Sequence, residues 1–544
     1  MSEQQQREEG RPALPIERGF PIERVNEIAE KESRAKQYYR PIYTMHKWWA
    51  RRPGCLFRAI SMYSLLDENT TVDDVEVYEP GDNHQLGSNG LDKNDLVEAI
   101  SNVDMDDPEP LWDFYPKDLR IKNKKILDPF MGGGTSLVEA SRFGVDSVGM
   151  DLNPVAWFVT KKELEAGQVD AKELESAYKK VEEDVADEIL EYYRTPCPND
   201  NHDADVMYNF WVKELDCVSC GHSVPLFKDY RVASGRYEND DKYNVFCPEC
   251  ESVTLVDDWQ EECDCNECGF AFIPKEGNVS RGGYYNCPEC GQKESITEAI
   301  GDQGKPYMRQ YAIEYYCAEC DQKGREKSSV KGYKAAESAD KRLFEDAKRE
   351  WETRTDLHSY IPTQKIPDGA TTIVTSEVNY DGHDLSQHAI NEWSDMFNKR
   401  QLLCLAKILQ SIDKSTNQEL GEYLLLAVSE ALRYNNLMVS YNTAYNKIGD
   451  FFRTNSFDPP TYPIENNVWG TKWGSGTFSA MFDMVLSGVE FANKPTDRYI
   501  TSDGDTEETP PFANPIGSNS NVYQGDMRKI EAEDEYDAVI TDPP

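Results

Sequence analysis

The chain has 544 residues, enough for two to four domains, and its 99 acidic against 58 basic residues give a net charge of -41. That balance argues against an enzyme held to nucleic acid by a broadly basic surface; spread over Val72–Glu76, Asp104–Asp107, Val256–Asp258 and Asp503–Asp505, it fits a cytoplasm of molar salt, as in halophilic archaea, where the Debye length falls to about 3 Å. A mean hydropathy of -0.70, no apolar window of spanning length, and a polar Met1–Arg11 without a signal-peptide core lead to the expectation of a soluble, cytoplasmic protein with no membrane partner.

In chain order, residues 1–67 form an N-terminal segment in which His46-Lys47-Trp48-Trp49-Ala50-Arg51-Arg52-Pro53 runs into Leu56, Phe57 and Ile60, a basic-aromatic loop entering an amphipathic helix. The two tryptophans are either core or ligand-facing. Residues 68–112 read as an acidic surface insertion. The span 113–165 opens on Ile126-Leu127-Asp128-Pro129-Phe130-Met131-Gly132-Gly133-Gly134-Thr135-Ser136, a short buried strand, a glycine-rich turn and a helix start that Thr135 or Ser136 can cap. Glycines there let backbone approach a ligand, as in nucleotide-binding α/β folds. A second strand, Asp146–Asp151, ends in Asp151, 23 residues after Asp128, near the spacing at which an acid bonds ribose hydroxyls.

Residues 166–195 form a connecting helix with Leu174, Tyr178, Val181, Val185 and Ile189 on one face. Residues 196–330 hold 12 of the 14 cysteines, ten of them as Cys-x-x-Cys pairs: Cys217/Cys220, Cys247/Cys250, Cys265/Cys268, Cys287/Cys290 and Cys317/Cys320. In a reducing cytoplasm this spacing points to zinc rather than disulfides, because two such knuckles complete one tetrahedral site. The 18 residues between Cys268 and Cys287 suggest that the third and fourth pairs form one ribbon, leaving the first with the second across 26. The fifth pair has no evident mate: the first knuckle could pair with the last, or a third site could use Cys197, His202 or Cys263.

Residues 331–500 read as mainly helical, with a polar-aromatic stretch (Asn435, Asn436, Ser440–Asn442, Tyr462–Gly470) that is either base-contacting or loop. Residues 501–544 return to the sheet through Gln524-Gly525-Asp526-Met527 and the strand Tyr536–Ile540, closing on Thr541-Asp542-Pro543-Pro544.

Asp-Pro-Phe-x-Gly-x-Gly-Thr followed by Gly-Asp and Asp-Pro-Pro resembles S-adenosylmethionine-dependent DNA amino-methyltransferases, whose catalytic tetrapeptide is Asp-Pro-Pro-aromatic. The segment from Pro21 to Ile60 resembles the N-terminal domain of unknown function 1156 found in adenine-specific DNA methylases. The resemblance implies an α/β fold, a Rossmann-like methyltransferase sheet interrupted by a zinc-ribbon and helical insertion. It implies S-adenosylmethionine held by Asp128, Pro129, Phe130, Gly132, Gly134, Thr135, Asp151 and Asp526, with Asp128, Gly132 and Gly134 on the methionine part, Asp151 on ribose and Asp526 on adenine. Asp542, Pro543 and Pro544 would be catalytic, acting on adenine N6 in double-stranded DNA. Defence or restriction proteins are further candidate partners.

The alternatives are an RNA amino-methyltransferase, or a non-catalytic zinc-stabilised nucleic-acid-binding fragment of a split gene. Because the sequence stops one residue before the aromatic, it is expected to be C-terminally truncated, inactive alone and unstable alone.

Overall fold

The computed structural model describes residues 12–81, 91–367, 369, 385–388, 390–453, 457, 459–501 and 503–542. The chain forms two compact units: the first comprises Met1–Ser176, Glu422–Ala427 and Asp483–Pro544, and the second Ala177–Gly421 and Val428–Phe482. Among the described residues no helix is long and apolar enough to cross a membrane.

In the first unit, helix α1 (Ile22–Arg34) buries Val25, Ile28 and Glu32, one face at helical spacing, and α2 (Gly54–Leu65) is buried over most of its length. A four-stranded, all-parallel sheet follows, built from β1 (Lys125–Asp128), β2 (Asp146–Asp151), β3 (Ser520–Gln524) and β4 (Ala538–Val539) in the order β3-β2-β1-β4. Helix α3 (Thr135–Ser141), wholly buried, links β1 to β2, and α4 (Pro154–Glu165) leaves β2. Gly149 of β2 is required by this packing: a Cβ there would fall 2.3 Å from Leu137 Cδ1 and 2.7 Å from Met131 Sδ. The span 68–112 is less superficial than its acidity suggests. Strand Val75–Tyr78 pairs antiparallel with Asp118–Ile121, and helix Lys93–Asn102 buries Leu96, Ala99 and Ile100.

Six charged side chains are buried together behind the sheet. Arg40 bonds Glu32 (3.1 Å), Glu139 (2.8 Å) and Asp497 (2.9 Å); Arg58 and Arg142 reach the other Asp497 oxygen at 2.9 and 3.0 Å, and Arg142 returns to Glu139 at 3.1 Å. Tyr115 and Tyr43 hydroxyls donate to Asp497 and Glu139, and Glu32 accepts the amides of Gly54 and Cys55 at the start of α2. Three guanidinium groups balance three carboxylates, the condition under which buried charge is tolerable. Burial by itself would push the Asp497 carboxyl up, but Arg40, Arg142 and Arg58 outweigh it and hold it below the usual range.

The second unit is built on an antiparallel sheet. Asp203–Asp216 lies between Tyr307–Tyr316 and Ile464–Asn466; Lys331–Ala335 extends the far side, and the short strands Arg194–Pro196 and Ser223–Pro225 pair with the two ends of Asp203–Asp216. This sheet runs through both the stretch expected as a zinc ribbon and the stretch expected as helical. Its interior pin is Glu465, which takes a bidentate bond from Arg400 of helix Lys399–Ser415 (2.7 Å each) and further donors from Trp211 and Tyr193. Most of the polar-aromatic stretch is interior, with Asn442 exposed. Asn435, Asn436, Asn466, Asn467 and Trp469 are buried, the Tyr441 hydroxyl donates to Glu314, and the Tyr462 hydroxyl accepts from Asp229 N.

Asp497→Ala leaves three buried guanidinium groups short of charge and is expected to cost about 3–5 kcal/mol, read as a lowered denaturant midpoint. Because Asp497 titrates below its unfolded value, its stabilisation is present above the normal carboxylate range and is lost as pH falls through the depressed pKa. The wild-type midpoint should therefore fall in acid more steeply than that of Asp497→Asn.

Candidate functional site

The parallel sheet brings four acids to one edge. Asp128 and Asp151 close β1 and β2, Asp526 stands two residues past β3, and Asp542 stands three past β4. All four strands end on the same side, and the strand order reverses between β1 and β4, where ligands of open α/β sheets bind. A crevice opens there, lined by Asp128, Phe130, Gly132, Gly133, Trp48 and Asp542.

The glycine turn is held mostly by the protein itself. Gly132 and Gly134 have φ of +50° and +73°, where glycine carries no steric penalty. A Cβ on Gly134 would meet Thr160 Cγ2 of α4 at 2.4 Å, and one on Gly133 would meet Arg51 Nη2 at 2.8 Å and Trp48 Cγ at 2.9 Å. Arg51 donates to Gly133 O (2.6 Å) and forks onto buried Glu163 (2.6 and 3.0 Å), so the basic-aromatic loop is clamped over the turn. Neither tryptophan is core: Trp48 is half-buried on the crevice and Trp49 is exposed.

Each expected cofactor residue has a definite place. Asp128 is almost fully buried and faces inward, accepting from Phe130 N–H (3.0 Å) and the Ser136 hydroxyl, so it shapes the turn; burial pushes its carboxyl up. Pro129 is buried beneath the loop and Phe130 is exposed on the crevice. Thr135 begins α3 and Gly134 occupies the cap position, while Ser136 is spent on Asp128; neither side chain caps the helix as the sequence suggested. Asp151 accepts from Gly132 N (2.9 Å) and Asn153 N (2.8 Å). Asp526 sits beside it, since Gly525 N donates to Asp151 O (2.9 Å), and the Arg528 guanidinium holds the Asp526 carboxyl down at about 2. The Asp542 carboxylate, half-exposed, takes a 2.9 Å bond from Arg52 Nε. Pro543 and Pro544 lie outside the described residues. Arg51 and Arg52 entered the sequence reading as part of the basic-aromatic loop, without partners; their contacts with Gly133, Glu163 and Asp542 join residues more than 80 positions apart, beyond any local signal.

All ten paired cysteines are drawn into clusters: the first four pairs combine differently from the expected ribbons, whereas the fifth meets Cys197 and His202, one of the alternatives left open. Cys217/Cys220 meets Cys287/Cys290, and Cys247/Cys250 meets Cys265/Cys268 inside it; the ligand atoms of each group lie within 4.8 Å of one another. Cross-pair Sγ···Sγ distances are 3.7 Å in the outer group and 3.6 and 3.8 Å in the inner one. A tetrahedral zinc with bonds of about 2.3 Å sets its sulfurs about 3.8 Å apart, so both groups fit that ion. Each knuckle closes alike. The first cysteine's carbonyl accepts from the residue after the second cysteine (Gly221, Glu251, Gly269 or Gly291, at 2.8–3.0 Å), and all four of those residues have φ between +59° and +73°. The expected ribbon failed because sequence separation alone cannot rank a local pairing against a nested one. Cys317/Cys320 joins Cys197 and His202.

Residues 19–85 match the family described as "Protein of unknown function (DUF1156)". The chain is similar to the Type II methyltransferase M.MvaI of Kocuria varians, 31% identical over 96 residues, which is 18% of this chain and 21% of that protein. It is also similar to the Type II methyltransferase M.BsoBI of Geobacillus stearothermophilus, 34% identical over 62 residues, 11% of this chain and 12% of that protein. The matched part thus spans about a fifth or less of each relative's length. No solved structure matches significantly.

The nested pairing makes a stoichiometric prediction. Cys220→Ser with Cys290→Ser damages one site and should cost one metal ion, whereas Cys220→Ser with Cys268→Ser damages two and should cost two, as measured by elemental analysis of purified protein. The ribbon pairing expected from spacing would reverse the first result.

Proposed function

We propose that this chain is a methyltransferase that moves a methyl group from S-adenosylmethionine to the exocyclic N6 of adenine in DNA, with the first unit, a Rossmann-like sheet, as cofactor-binding and catalytic half. The observation that carries the reading is the gathering of Asp128, Asp151, Asp526 and Asp542 at one edge of a parallel sheet, around a glycine turn at its switch point. The similarity to two Type II methyltransferases supports it. The cysteine groups of the second unit hold structural zinc, and that unit contributes to recognition of double-stranded DNA.

The donor set suits the cofactor. The sulfonium supplies an electrophilic methyl group. Asp151, with lone pairs left beyond those given to Gly132 and Asn153, accepts from ribose hydroxyls, and Asp526, ionised far below neutrality, accepts from the adenine amino group. Asp128 fixes the turn so that the backbone of Gly132 and Gly133 faces the crevice beside Trp48 and Phe130.

The target nitrogen is a weak nucleophile because its lone pair is delocalised into the ring. Asp542 and the Pro543 carbonyl accept its two hydrogens, favouring a pyramidal nitrogen whose lone pair is free to attack. The base must leave the duplex to reach them. In the structure Arg52 occupies Asp542. Their pair is solvent-exposed, of a kind worth about 0–1 kcal/mol, so the target amino group displaces it at little cost.

The protein as its gene encodes it, in molar potassium chloride, should bind S-adenosylmethionine by calorimetry, with Asp151→Ala at least tenfold weaker. Duplex DNA incubated with labelled cofactor should yield N6-methyladenine on nucleoside analysis. N4-methylcytosine would reassign the base, labelling of RNA alone would reassign the substrate, and a folded protein that binds no cofactor would sink the reading.

A further inference from the structure

The fifth cysteine pair departs from the other four. Cys317 caps the short helix Ala318–Gln322 and Cys320 lies within it, so this pair is helical rather than a knuckle. Its mates come from the turn 197–202. Cys197 Sγ lies 3.7 Å from Cys320 Sγ, and His202 Nε2 lies 3.0 Å from Cys317 Sγ and 3.7 Å from Cys320 Sγ. The three cysteines are buried and the histidine partly so.

The 197–202 turn is a knuckle with its second cysteine replaced. In each of the four knuckles the first cysteine's N–H donates to the carbonyl five residues on: Cys217 to His222, Cys247 to Ser252, Cys265 to Phe270 and Cys287 to Gln292, at 2.8–2.9 Å. Cys197 donates in the same way to His202 O at 2.8 Å. Asp200 stands where the second cysteine would be, and the ligand moves two positions on to His202. The other nitrogen of that imidazole faces two carboxylates, with Nδ1 3.5 Å from Glu319 and 3.9 Å from Asp200, the side from which a carboxylate orients a metal-bound histidine, although neither distance is a close hydrogen bond. Lys323 and Arg325 in turn hold Asp200, and Cys320 N donates to Cys317 Sγ at 3.4 Å, as a thiolate requires.

We infer that Cys197, His202, Cys317 and Cys320 hold a third ion, a single tetrahedral zinc with three thiolates and one imidazole. The sulfurs are too close together to span a multi-iron cluster, and this soft, four-coordinate donor set selects zinc. The site joins residues 123 apart, one just before strand Asp203–Asp216 and the other just after Tyr307–Tyr316, so it clasps the insertion that carries both four-cysteine sites. It does not depend on the methyltransferase reading.

Elemental analysis of the full chain purified without chelator should give three zinc ions. His202→Ala should give two, while His202→Cys should keep three. Cobalt substitution should show one site of mixed nitrogen and sulfur ligation among sulfur-only sites, and His202→Cys should convert its visible spectrum to the all-sulfur form. Two ions in the wild-type protein, three in His202→Ala, or a Cys197–Cys320 disulfide found by mass spectrometry would each overturn the assignment. X-ray absorption on the wild-type protein, expected to find one nitrogen among twelve ligand atoms, decides the matter if the variants do not fold.

Discussion

The first unit rests on buried charge. Arg40, Arg58 and Arg142 meet Glu32, Glu139 and Asp497 in a space closed to water, where any one of the six left alone would be prohibitively costly. The six come from four parts of the chain: α1 and the end of the short helix Lys36–Tyr39 after it, α2, α3 with the residue that caps it, and the segment returning after residue 483. The segment matched by the family of unknown function is therefore part of the first unit's interior. It supplies Glu32, Arg40 and Arg58 to the network and Trp48, Arg51 and Arg52 to the crevice. Such a network also sets register, because no one-residue slip of α3 would keep both Glu139 and Arg142 paired.

What the sequence revealed was local. The strand–turn–helix at 126–141 and the strand ending in Asp151 could be read because a few adjacent residues carry the whole signal. The amphipathic helix at Ala171–Glu191 was legible for the same reason, its spaced apolar residues being buried as their period required. What stayed hidden depends on residues far apart in the chain. Glu32 looks like one more charge in an acidic protein until the face it shares with Val25 and Ile28 is seen to be buried. The knuckles were visible one at a time, while their pairing depended on side-chain packing that seats Tyr285 and Cys287 against Leu215 and Cys217. Likewise, Asn435 and Tyr462 were ambiguous because polar and aromatic side chains serve equally well as interior pins or as base contacts.

On the proposed function, a chain of net charge -41 would gain little from long-range attraction to DNA, the more so in molar salt. Under those conditions affinity must come from contacts that survive screening: shape, stacking and buried hydrogen bonds. Buried pairs are shielded from the ions that erase surface pairs, so the six-residue network of the first unit is expected to hold across a wide range of salt.

The three cysteine-rich groups open and close along the chain like brackets, 247–268 within 217–290 and both within 197–320. In an unfolded chain the outermost closure spans 123 residues, while the middle one spans 73. Once the middle is tied, the outer ends are separated by only about 50 residues of free chain, which lowers the entropy cost of bringing them together by about 0.8 kcal/mol. With zinc bound as inferred, each inner closure would shorten the loop left for the next, so chain entropy favours filling from the inside outward and metal limitation would deplete the clasp before the groups nested within it.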